Sequence, residues 1–113
     1  MNLKLRTAFE NEMDLAKKEY LASNYAECFK HLERAHILGQ SYIIPHTKSH
    51  WWMLKVGCKT GNFREVFGQT ARIIASIIFS RIWVPMGNTG GTNVSPIKPM
   101  KIPRDLQTYF DQK

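Results

Sequence analysis

The sequence predicts an all-α fold: two stacked helical hairpins, four main helices in all, with an extended Pro/Gly-rich C-terminal segment packed over them. Three observations predict it. Apolar side chains recur at spacings of three and four through most of residues 3–78, the period of amphipathic helices. The stretch "SNYAECFK" at 23–30 returns as "GNFREVFG" at 61–68, pairing Asn24 with Asn62, Tyr25 with Phe63, Glu27 with Glu65 and Phe29 with Phe67. A repeated hairpin cannot bury its face alone, so two copies stack. Finally, four of the five prolines and three of the seven glycines follow Val84, a break in composition that ends the helical part. At 113 residues and 43% hydrophobic, the chain suits a single domain spanning 1–113.

The first hairpin is expected at about 3–39. Leu5, Ala8, Phe9, Met13, Ala16, Tyr20 and Leu21 form one helical stripe. Ser23-Asn24 supplies a turn and cap. The stripe resumes with Tyr25, Cys28, Phe29, Leu32, Ala35, His36 and Leu38, and Gly39 is read as the helix stop. The second hairpin is expected at about 45–82. Pro45 fits a first helical turn, where its missing N–H is not needed. His50, Met53, Leu54, Gly57 and Cys58 follow, then a Thr60-Gly61-Asn62 turn. Phe63, Val66, Phe67, Thr70, Ile73, Ile74, Ile77 and Ile78 make the last stripe. Tyr25 and Phe63 are expected to plug the hairpin corners, and both cysteines to be packed inside as free thiols. Glu27 and Glu65 fall in first turns, where the helix dipole favours a carboxylate.

Residues 83–113 are read as an ordered wrap. Trp83, Val84, Met86, Val94, Ile97, Met100 and Ile102 supply apolar surface to cover the helix Ile73–Ile82, and Asp105 to Phe110 to close the chain in a short helical turn. The longest apolar run, Ile73 to Val84, is interrupted by Arg81 and falls short of the ~20 residues of a membrane span. The first twenty residues lack an uninterrupted apolar core, so no secretory signal is expected and a cytoplasmic location is. The net charge of +7 is spread along the chain, the longest basic run being Lys17-Lys18. A nucleic-acid partner is therefore not favoured over a solvated basic exterior.

Two resemblances extend this reading. "YLASNYAECFKHLERAH" resembles the tetratricopeptide repeat, with Asn24-Tyr25 at the turn, Cys28 and Ala35 at small positions and Leu32 at a large one. The likeness implies helical hairpins of that type. The chain departs from the pattern in its period, 38 residues (23 to 61) against the family's 34, and in bulky Leu54 and Ile73. "HLERAHILGQ", "PHTKSHWWML" and "PMGNTGGTNVSPIKPMKIP" resemble, in that order, the signature of a family of small bacterial proteins described as a domain of unknown function. That resemblance implies a bacterial source and a shared fold, and no activity.

The chemistry-bearing residues cluster in the middle of the chain. His46 and His50 lie one helical turn apart, hence on one face. Glu33 and His36 form a Glu-x-x-His pair on the helix before. Glu33, His36, His46 and His50 can converge into a site for a transition metal, zinc or iron, whose ligands are nitrogens and oxygens of this kind. In the opposing reading, His36 and His50 are core residues with ordinary hydrogen-bond partners, His31 and His46 face solvent, and no cofactor is expected. Trp51 and Trp52 point apart on a helix, which leaves one for the core and one for a binding surface. Gly87, Asn88, Thr89, Gly90, Gly91 and Asn93, in the loop Gly87–Ser95, form a segment able to nest an anion or a small molecule. There is no Gly-x-Ser-x-Gly, His-Glu-x-x-His or Cys-x-x-Cys, so an enzyme is not the favoured reading. The leading expectation is a non-enzymatic interaction module for a protein or peptide partner. The first alternative is a small metal-binding protein, and the second is ligand binding at the Gly-rich loop.

Overall fold

The structure, a computed structural model, describes residues 1–79 and 100–110. It is built from α1 (Leu3–Leu21), α2 (Tyr25–Gly39), α3 (Ile43–Thr60), α4 (Phe63–Phe79) and the short α5 (Arg104–Gln107), with no strand among the described residues. α1 pairs with α2, α3 pairs with α4, and α2 against α3 joins the hairpins into a stack. No described helix is long and apolar enough to cross a membrane.

α1 starts where Asn2 Oδ1 accepts the Leu5 N–H at 2.8 Å, a side-chain cap for a free first-turn donor. It buries Leu5, Ala8, Phe9, Met13 and Ala16. The stripe ends earlier than its periodicity suggests. Leu21 is 84% exposed because the chain leaves the helix at Ala22, and Ser23 takes a left-handed φ of 60° to turn it. α2 contributes Cys28, Leu32, Ala35, Ile37 and Leu38 to the same core.

Two glycines divide the labour differently from the sequence expectation. Gly61 is the left-handed cap, at φ 68°. Gly39 is not a stop in that sense: it is the last residue of α2, buried against α3. A Cβ there would lie 2.7 Å from the Cβ of Pro45 and 3.0 Å from the Phe9 ring. Its missing side chain lets the first turn of α3 lie on the end of α2. Gly57 does the same for the second hairpin, where a Cβ would stand 3.0 Å from that of Glu65.

α4 presents a different face from the one expected. Phe63, Phe67 and Ile74 are exposed among the described residues, and Phe63 does not plug its corner. Polar Glu65 and Gln69 face inward instead. Tyr25 does pack at the first corner, edge-on to Tyr20. Cys28 is buried but Cys58 is exposed, which corrects the expectation that both are packed.

The expected cover over Ile73–Ile82 and the loop Gly87–Ser95, with Gly87, Asn88, Thr89, Gly90, Gly91 and Asn93, lie wholly or in part outside the described residues. The end of the chain returns to the first hairpin. Leu106 enters the core, with Ile102, Tyr109 and Phe110 packed against it. Arg34 clamps this arrangement. Its Nε donates to both oxygens of Glu12 on α1, at 2.8 and 3.1 Å, and its terminal nitrogens donate to Asp105 on α5.

Substituting Gly39 with Ala is expected to destabilise the fold by about 1–3 kcal/mol, the usual effect of overpacking. Urea unfolding would measure it; an unchanged midpoint would mean that α2 and α3 do not meet as closely as described.

Candidate metal centre

His36 stands in the last turn of α2, and His46 and His50 on the first two turns of α3. The α-helical period places His46 and His50 on one face. The short connection through Gln40–Tyr42, tightened by the Tyr42 N–H to the Gly39 carbonyl at 3.0 Å, folds that face onto α2. Gly39 follows His36 on nearly the same side of its helix, so the close approach at Gly39 also brings His36 to the pair.

The three side chains meet through their Nε2 atoms. His36 to His50 is 3.1 Å, His36 to His46 is 3.0 Å and His46 to His50 is 3.1 Å. The rings fan around this point with centroids 4.6–4.7 Å apart and planes crossing at 60–74°. All three residues are buried, at 3%, 8% and 2% exposure for His36, His46 and His50. His46 therefore does not face solvent.

One hydrogen-bond chain orients the site. The Nδ1–H of His50 donates to Gln69 Oε1, and Gln69 Nε2 donates to Glu65 Oε2 at 2.9 Å. With its proton on Nδ1, His50 presents a lone pair at Nε2, the tautomer a metal ligand needs. Sequence reasoning missed Gln69 and Glu65. Their signal was present: they are one turn apart on the polar side of α4, opposite Gly57, but that side reads as solvent-facing.

Charge is unwelcome here. Burial pushes the His46 imidazole down to about 4. Burial, then the neighbouring His46, push His50 down to about 3 against the opposing hydrogen bond from Gln69. Both rings are neutral at pH 7. Hydrogen bonding between the rings still cannot satisfy all three contacts. An imidazole nitrogen carries either a hydrogen or a lone pair in the ring plane. Of three mutually touching nitrogens, two must be alike, so at least one contact sets donor against donor or lone pair against lone pair. A cation accepting three lone pairs removes the conflict.

The other residues singled out in the sequence do not join this group. Glu33, one turn before His36, is half-buried and lies outside the three-histidine cluster. Trp51 is 53% exposed. Trp52 is half-buried, edge-on to Tyr20, with Lys55 Nζ 3.8 Å above its ring. His31 is half-buried beside Glu12.

A family model described as a protein of unknown function (DUF3703) matches residues 3–110. No curated protein and no solved structure matches the chain.

The depressed histidines set the pH dependence of the metal-free chain. An unfolded histidine takes a proton near pH 6.5, whereas folded His46 and His50 wait until about 4 and about 3. Between those values the unfolded state binds more protons, so stability falls as pH falls. Denaturation at pH 7 and pH 5 should show a loss of roughly 3–4 kcal/mol in metal-free protein. Gln at positions 46 and 50 should flatten the slope.

Proposed function

The chain belongs to the DUF3703 family, and we propose that it is a small metal-binding protein whose ion is held by Nε2 of His36, His46 and His50. The observation that carries this reading is the triangle of three buried nitrogens, each about 3 Å from the other two. Zinc and iron(II) both take imidazole nitrogen. An ion about 2.1 Å from each nitrogen, the usual Zn–N distance, would sit only about 1 Å off their plane. The site needs little rearrangement to bind, because helices and not loops hold the ligands. Gln69 and Glu65 act through His50, fixing its orientation and its proton.

The interaction-module reading is supported by a separate observation, the exposed Phe63, Phe67 and Ile74 on α4. It does not compete for the histidines, and it leaves their convergence unexplained.

Elemental mass spectrometry of untagged protein equilibrated with zinc or iron(II) tests the proposal. About one equivalent per chain is expected, lost in the His36→Ala/His50→Ala variant. A wild-type chain that binds neither metal would overturn it. Gln69→Leu should weaken affinity by roughly 10–100-fold while leaving the stoichiometry unchanged, as removal of a ligand's orienting partner does. Competition with a chromogenic chelator would read that change.

A further inference from the structure

We infer that the ion bound by His36, His46 and His50 keeps a coordination position for a small exogenous anion, hydroxide or an azide-like ion; this rests on the metal-binding reading above. Structural zinc sites are closed by four protein ligands, whereas sites that do chemistry have three and leave the fourth to water or substrate. Among the described residues, the convergent histidine, cysteine and carboxylate groups number three. The remaining stretch 80–99 contains no histidine, cysteine, aspartate or glutamate, so it offers none of the usual ligands. Glu33 lies outside the cluster. Glu65 is one amide away, hydrogen-bonded to Gln69. Asp111 is the one carboxylate side chain among residues 111–113.

Geometry agrees. Three nitrogens 3.0–3.1 Å apart cap one side of an ion. With bonds of about 2.1 Å the angles at the ion are roughly 95°, which leaves its opposite side free of imidazole.

Charge and size choose the occupant. Neutral imidazoles bring no charge to offset a divalent ion, and the surroundings are already unfavourable to cations, as the buried positions of all three rings imply. An anion completing the shell lowers that charge, which a neutral ligand of equal size does not. The three rings are buried, none more than 8% exposed, which favours a small occupant over a large one.

The test is visible absorption of cobalt(II)-loaded full-length protein titrated with sodium azide, and in parallel with acetonitrile, a neutral ligand of similar size. Saturable change in the cobalt bands with azide, and little with acetonitrile at equal concentration, is expected. Cobalt bound with a spectrum indifferent to azide would overturn the inference and leave metal binding standing. In that case Glu33→Gln and Asp111→Asn would be examined, and an azide response gained in either would identify the protein ligand that closes the shell. Failure to bind cobalt at all, together with no zinc or iron, would remove the metal reading and this inference with it.

Discussion

Three imidazole nitrogens that touch cannot satisfy one another, and the middle of this fold is arranged around that fact. Hydrogen bonding settles at most two of the three contacts. Burial withdraws the water that would settle the rest, and it depresses His46 and His50 so that protonation does not do so at neutral pH. The junction between the hairpins follows from it. The end of α2, the start of α3 and the polar side of α4 all turn toward one point, and the two glycines that permit the close approaches, Gly39 and Gly57, lie at the helix contacts that bring them there.

The first hairpin is held by different physics. Its core is aliphatic and aromatic, from Leu5 through Leu38, and its buried charge is confined to Glu12, which receives the Arg34 guanidinium. Arg34 then extends the same planar group to Asp105, holding that carboxyl below its usual range. One always-charged fork thus ties α1, α2 and α5 together. The Glu12 end of this link is buried and the Asp105 end is exposed, so it is the Glu12 pair that fastens α1 to α2. α1 contributes no histidine to the site and serves as the floor on which α2 is laid.

Much of this was legible in the residues. The echo of 23–30 at 61–68 carried the hairpins, and the spacing of His46 and His50 placed them on one face with His36 nearby. The errors share a cause. Period alone tells which residues align along a helix, and it does not tell which way the stripe faces. On α4 the expected stripe included Phe63, Val66, Phe67, Ile73 and Ile74; Val66 and Ile73 are half-buried, whereas Phe63, Phe67 and Ile74 are exposed and Glu65 and Gln69 lie inside, Gln69 accepting from His50. Gly39 does end α2, as expected, but without the left-handed backbone that glycine often supplies at a helix stop. Its role in packing depends on Pro45 and Phe9, which no local pattern connects to it. Glu33, grouped with the histidines on spacing, is half-buried and is not among the three residues that come together.

The ligand set is also unusually local in the chain. His36, His46 and His50 lie within one short stretch that runs from the end of one helix into the next, across the Gln40–Tyr42 connection. Closing so small a loop carries little entropy, since the penalty grows only slowly with length and begins from a small value. On the metal-binding reading proposed above, an ion would therefore fasten the corner between α2 and α3 at little entropic cost. His50 is the last of the three in the chain, so that corner needs no histidine from α4 or from the C-terminal residues. Metal supply would then bear on how firmly the two hairpins are joined.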